Sequence, residues 1–332
     1  SQTVEWQGKE LTLQQLLPVY QDPDRDTRER AWRLAAARQL QDRQAINDLW
    51  VRLMNLRGDL AINAQMITQA GQPDYRAYRW QQLLRLDYTP HDCVRFQQAI
   101  KQVAVPAATR IYERRRRRLG VESLRPWDLD VDPLGRPPLH PFHALEELVE
   151  RSAAIIRNVD SQLGAYFTIM RQENLLDLEN RKNKAPGGYC IDFPAAKRPF
   201  IFMNAVGIHE DVQTLLHESG PAFHVFESSR LPYHHQGEVG LELEEVASTA
   251  MELLSAPYLE SSRGGFYTAS EAARARIEFL SQAVLFWPYM AVVDAFQHWV
   301  YENHAAATDP DNCDAKWVEL WAEFMPGVDD GG

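Results

Sequence analysis

The sequence contains little cysteine. Three cysteines occur in 332 residues, at positions 93, 190 and 313, and they are odd in number and far apart. This distribution argues against a disulfide framework and against a zinc site built from several cysteines. We therefore expect a reducing, cytoplasmic location.

The sequence also lacks long apolar runs and an excess of basic charge. No uninterrupted apolar run approaches the ~18 residues that cross a bilayer, and no signal peptide is visible. The net charge is −11, whereas nucleic acids and anionic membranes favour basic surfaces. We therefore predict neither a nucleic-acid nor a membrane partner. The oligomeric state is left open.

One strongly basic segment is present. Five consecutive arginines occupy positions 114–118, and Gly120 follows them. Cations near the C-terminus of a helix and a closing glycine are typical of a solvated helix end. The alternative, a nucleic-acid patch, has no further basic or aromatic support in the sequence.

Hydrophobic periodicity indicates the fold class. Apolar residues recur at spacings of three and four in residues 42–60, and helical patterns continue through residues 89–118, 143–179 and 270–304. Short β-like runs with intervening turn residues occur at 187–205. These patterns predict a mainly α protein with one small β-sheet.

Prolines indicate where the chain divides. Five of them lie between residues 126 and 141 and exclude a continuous helix there. We predict an N-terminal helical region, residues 1–125, and a second region, residues 126–332. The second region holds the sheet (187–205) and two helices, at 211–228 and 241–256.

A catalytic motif lies on the first of these helices. His217 and Glu218 match the first half of the H-E-x-x-H signature, in which two histidines hold zinc and the glutamate is the general base. The second histidine is absent, because position 221 is proline. Proline offers no metal ligand, and inside a helix it deletes a hydrogen bond at a cost of ~3 kcal/mol.

The second helix supplies two further candidates. Zinc peptidases need three protein ligands, and a glutamate ligand usually comes from a second helix. Glu245 follows His217 by 28 residues and fits this role. Glu252 lies seven residues later, on the same helix face, where it could support the site through hydrogen bonding.

Other histidines are alternatives for the missing ligand. His224 shares a helix face with His217, but it lies ~10 Å along the axis unless Pro221 kinks the helix. His234 and His235 lie on the loop before the second helix.

These motifs resemble the thimet oligopeptidase/oligoendopeptidase F family of zinc metallopeptidases. The family pattern H-E-x-G-H-A-x-H compares with residues 217–224, and the pattern E-[IV]-A-S-T followed by a glutamate compares with residues 245–252. The resemblance implies a zincin-like helical body with its small sheet beside a deep cleft. It also implies one zinc ion held by His217 and Glu245, and Glu218 as general base.

The resemblance further implies what the protein acts on. Short peptides are the family's substrates, and they lie along an edge strand that resembles residues 187–190 and 199–204, so we predict that Phe202, Met203 and Asn204 contact substrate. We expect an oligoendopeptidase that is impaired by Pro221 and by a truncated C-terminus. The alternative is a non-catalytic peptide-binding or structural remnant of the family.

Overall fold

The computed structural model describes residues 2–69, 71–237 and 239–329, with the backbone alone for residues 234 and 241. Helices account for 64% of the structure, and the strands form small sheets. The predicted fold class, mainly α with a small β-sheet, is therefore confirmed.

The described residues form twelve α-helices. In chain order, α1 to α12 are Arg25–Leu40, Arg43–Asn63, Tyr75–Gln82, Pro90–Ala99, Val105–Leu119, Leu145–Val159, Ser161–Gln172, His209–Ser228, Leu241–Ser255, Ala269–Glu302, His304–Ala307 and Pro310–Phe324. A π-helical turn, Ile100–Ala104, joins α4 to α5. α5 ends at Leu119, and the next residue, Gly120, adopts a left-handed conformation. The arginine run and the glycine after it therefore mark the end of a helix, as predicted.

In the part of the chain that the structure describes, five strands form two sheets. They are β1 (Thr3–Trp6), β2 (Lys9–Thr12), β3 (Leu176–Glu179), β4 (Tyr189–Phe193) and β5 (Arg198–Ala205). β1 and β2 form an antiparallel hairpin. In the second sheet β5 is central, with β3 parallel on one side and β4 antiparallel on the other.

Three of these strands were not predicted from the sequence. β3 lies in a stretch predicted to be helical, and its pairing with β5 outweighs its local helix preference. The β1–β2 hairpin has a local signal that the prediction overlooked. Its two-residue turn, Gln7-Gly8, has positive φ at both positions (52° and 77°), as type I′ turns require.

The described residues group into two compact units, each built from two chain segments. The first unit comprises residues 2–35 and 130–278, and the second comprises residues 36–129 and 279–329. The chain passes from the second unit back to the first between residues 129 and 130, close to the predicted boundary at residue 126. The sequence-based division into two consecutive regions did not separate the first 35 residues from those that follow.

The core of the first unit lies between α6, α7, α8 and the central strand β5. Leu148, Ile155, Phe167, Ile201 and Leu215 are fully buried there. α8 packs against β4 and β5 and also against α9. The candidate site lies on these packed elements.

α10 is unusually long and apolar. Among the described helices it is the one that could cross a membrane by length and composition alone, which is weak evidence for a membrane helix. Only 17% of its most apolar window is buried, so burial in the core does not account for its composition. The absence of a membrane partner stays a prediction.

Candidate active site

The start of α8 is fixed by one buried carboxylate. Asp211 Oδ2 accepts hydrogen bonds from the backbone N–H groups of Val206, Gly207 and Ile208, at 2.9, 2.7 and 2.9 Å. These donors belong to the turn between β5 and α8, and the helix begins at His209, two residues earlier than predicted. The helix is thus anchored to the sheet two turns before His217.

A close crossing of α8 and α9 brings the two motifs together. A methyl group added at Gly220 would lie 2.4 Å from the backbone oxygen of Ala247 and 2.6 Å from the backbone nitrogen of Ser248. No side chain larger than hydrogen fits at this distance. The glycine of the first motif and the small Ala-Ser pair of the second therefore have a packing role.

His217 lies between two glutamates of α9. Its Nδ1 is 2.7 Å from Glu252 Oε1, and its Nε2 is 3.4 Å from Glu245 Oε2. Glu252 is largely buried, whereas the Glu245 side chain is 71% exposed. Hydrogen bonding to Glu252 is the main cause of a raised His217 pKa.

Glu218 points towards the sheet. Burial raises the pKa of its carboxyl group, and the nearby charge of His217 opposes this shift. The backbone N–H of Cys190 on β4 also lowers the Glu218 pKa by hydrogen bonding. This contact between Glu218 and β4 was not predicted, because local sequence patterns do not reveal it.

Pro221 does not interrupt α8. The helix runs continuously from His209 to Ser228 through Pro221, which keeps His224 about 10 Å along the axis from His217. Among the described side chains, no third His, Cys, Asp or Glu completes a ligand set with His217 and Glu245. The side chain of His234 lies outside the described residues.

The predicted substrate contacts lie on the central strand β5. Met203 is buried in the core, and Asn204 donates hydrogen bonds to the backbone oxygens of Ala185 and Gly187. Phe202 stacks on Tyr189 with the ring centroids 4.7 Å apart. These contacts organise the strand and the loop before β4, and substrate contact by the three residues stays a prediction.

The edge of the sheet nearest Glu218 is formed by β4. Ile201 pairs opposite Cys190 but donates its N–H to Leu175 on the far side, so the backbone groups of Cys190 point away from β5. Within the described part of the chain, no strand pairs with this outer edge. A free strand edge can bind an extended peptide.

The geometry fits part of a zinc site. Tetrahedral zinc with bonds of ~2.0–2.1 Å places neighbouring ligand atoms ~3.3 Å apart, and His217 Nε2 and Glu245 Oε2 are 3.4 Å apart. Histidine ligands usually hold their other ring nitrogen on a carboxylate, as His217 does with Glu252. Two donors therefore fit zinc. The H-E-x-x-H signature has its second histidine at the position where this chain has Pro221.

Residues 19–331 match the model of peptidase family M3. The chain belongs to peptidase family M3. The match covers both motif helices and most of both compact units. The resemblance seen in the sequence is thereby confirmed at the level of the family.

Solved structures of related proteins agree with this assignment. PZ peptidase A with inhibitor 2 is 31% identical, with a TM-score of 0.90 over 98% of this chain and 56% of its own. A protein assigned as oligoendopeptidase F is 30% identical, with a TM-score of 0.91 over 100% of this chain and 56% of its own. A Bacillus anthracis str. Ames protein, also assigned as oligoendopeptidase F, is 28% identical, with a TM-score of 0.88 over 98% of this chain and 57% of its own.

The chain thus spans a little over half the length of these structures. A search of curated proteins gave no significant match.

Proposed function

We propose that the chain binds short peptides along β4 and cleaves them slowly with zinc held by His217 and Glu245. The observation that carries this proposal is the 3.4 Å separation of His217 Nε2 and Glu245 Oε2, which suits two ligands of one tetrahedral ion. Membership of a peptidase family and likeness to oligoendopeptidase F structures support the substrate class.

The residues around the ligands have separable tasks. Glu252 holds the His217 ring with Nε2 directed at Glu245. Zinc held there would lower the pKa of an attacking water and polarise the peptide carbonyl. Glu218 would accept a proton from this water, and its raised pKa brings the carboxylate closer to the range that suits a general base near neutral pH.

The free edge of β4 positions the substrate. An extended peptide that pairs with the outer edge of β4 continues the sheet as a fourth strand. Because the Cys190 N–H faces the Glu218 carboxylate, the paired peptide passes beside the proposed base. Tyr189, Ile191 and Phe193 are 38%, 39% and 48% exposed and offer apolar contacts to its side chains.

Pro221 favours a second candidate function, peptide binding without hydrolysis. Two protein ligands hold zinc more weakly than three, and the edge of β4 does not depend on the metal. In this case the chain retains the peptide-binding edge of the family and lacks its chemistry.

One experiment separates the two functions. Binding and cleavage of a quenched fluorescent peptide are measured with and without added zinc, for the parent, Glu218→Gln and Glu146→Gln. Glu146 is an exposed carboxylate elsewhere in the same unit and serves as the control. Zinc-dependent cleavage that Glu218→Gln abolishes and Glu146→Gln preserves supports the peptidase.

Other outcomes point elsewhere. Peptide binding without zinc-dependent cleavage supports the second function. If the peptide does not bind at all, both proposals are wrong. Cleavage that survives in Glu218→Gln contradicts Glu218 as the base.

A further inference from the structure

A second cluster of metal-ligand side chains lies in the second unit, apart from the residues of the candidate active site. It comprises Cys93 on α4 and Asp294 and His298 on α10, whose ligand atoms all lie within 4.8 Å of one another. We propose that these three residues bind a divalent cation of the zinc or cobalt class. The proposal does not depend on peptide cleavage.

The two α10 residues are already arranged as ligands. Asp294 and His298 are four residues apart and so lie on one face of the helix. Asp294 Oδ1 is 3.7 Å from His298 Nε2, close to the ~3.3 Å between neighbouring ligands of a tetrahedral zinc ion. If these two atoms move closer by a few tenths of an ångström, their separation matches that of two ligands of one zinc ion.

A hydrogen bond orients the carboxylate. Gln97 Nε2 donates to Asp294 Oδ2 at 2.7 Å, which leaves Oδ1 facing His298. Carboxylate ligands in metal sites are usually held in this way. Gln97 and Cys93 are also four residues apart on α4, so one face of this helix supplies both the Cys93 ligand and the hydrogen bond that holds Asp294.

The donor set selects the cation. A thiolate and an imidazole favour borderline-soft ions such as Zn²⁺ and Co²⁺ over Mg²⁺ and Ca²⁺, which prefer oxygen ligands. His298 is buried, whereas the Asp294 side chain is 45% exposed. Water can therefore reach a fourth coordination position beside three protein ligands.

Binding requires a defined rearrangement of protons. Arg76 Nη1 lies 2.9 Å from His298 Nδ1, so Nδ1 accepts a hydrogen bond and the neutral ring carries its proton on Nε2. When the cation binds Nε2, this proton moves to Nδ1 and Arg76 turns away. Glu302 Oε1, 2.5 Å from Arg76, remains its partner. The Cys93 thiol releases its proton to solvent.

Cobalt absorption tests the proposal with the full chain. Co²⁺ is titrated into the parent, and thiolate-to-cobalt charge-transfer absorption is recorded in the near ultraviolet. We expect this band in the parent and its loss in Cys93→Ser. Cys190→Ser and Cys313→Ser are matched controls that should retain it, because both cysteines lie outside the cluster. Circular dichroism checks that each variant is folded.

A second variant tests the role of Arg76. Arg76→Gln removes a positive charge and a guanidinium donor from the cluster, so we expect Co²⁺ affinity to rise by about tenfold. His298→Ala should lower it. The proposal is overturned if the parent shows no charge-transfer band, or if the band persists in Cys93→Ser. Loss of the band in Cys190→Ser instead would assign the cation to the candidate active site and would equally overturn it.

Discussion

His217 Nε2 lies 3.4 Å from Glu245 Oε2, although the two residues are 28 positions apart and belong to different helices. The approach depends on the crossing of α8 and α9 at Gly220, where a single methyl group would meet the backbone of the partner helix. The geometry of the candidate zinc site is therefore a consequence of helix packing.

The first prediction concerns this crossing. Gly220→Ala should force α8 and α9 apart and destabilise the chain by about 1–3 kcal/mol or more, as overpacking does in other cores. Zinc affinity should fall with it, because Glu245 moves away from His217. Urea unfolding and zinc titration measure the two effects.

Gly240→Ala is the matched control for the crossing. Gly240 precedes α9 with a negative φ, and among the described side chains a methyl group added there meets the flexible carboxylate of Glu242. We expect a small effect on stability. Equal stability of Gly220→Ala and the parent would show that the crossing is not tight.

The second prediction concerns Glu252. Loss of the carboxylate that holds a histidine ligand typically lowers metal affinity by about 10–100-fold. We expect a loss of this size in Glu252→Leu, which leaves His217 Nδ1 without its acceptor. Glu252→Gln keeps an oxygen acceptor and should lose less. Zinc titrations of both variants that match the parent would exclude a supporting role for Glu252.

The third prediction concerns acid stability. Burial lowers the pKa of His209 to about 4, from an unfolded value of 6.5, and His209 Nδ1 lies 2.6 Å from the Tyr267 hydroxyl. The unfolded chain therefore binds a proton at a higher pH than the folded chain does. The contribution of neutral His209 to the free energy of unfolding is fully present above pH 6.5. It is lost as the pH falls towards 4, by up to about 1.4 kcal/mol per pH unit.

Urea unfolding of metal-free protein between pH 7 and pH 4 measures this loss. His209→Gln cannot take up the proton, so its stability should depend less on pH in this window. A parent and a variant with parallel pH profiles would contradict the prediction.

The sequence predicted those parts of the site that short sequence motifs identify. The two helices could be located from their motifs, and the seven-residue spacing placed Glu245 and Glu252 on one helix face. That His217 lies opposite them was implied by the family resemblance. Gly220 was visible as part of the first motif. The sequence did not show why a glycine is needed there, because the backbone of Ala247 that leaves no room for a side chain belongs to the other helix.

Features that depend on tertiary contacts were not predictable. β3 consists of Leu176-Asp-Leu-Glu, which has no β-branched residue and becomes a strand through pairing with β5. The Cys190 N–H reaches Glu218 only once the sheet packs on α8. Cys93 and His298 are about 200 residues apart in the chain, so no local pattern relates them and only the folded chain brings them together.

The central claim is that position 221 is the place of a lost zinc ligand beside His217 and Glu245. Two variants test it, because Pro221→Ala and Pro221→His both restore the backbone hydrogen bond to His217 and should stabilise α8 by up to ~3 kcal/mol. Only histidine adds a ligand.

Zinc affinity, measured by competition with a chromophoric chelator, is the decisive quantity. We expect it to rise by orders of magnitude in Pro221→His and to stay near the parent value in Pro221→Ala, and zinc should raise the melting temperature of the histidine variant further. Equal zinc affinity in the two variants would contradict the account.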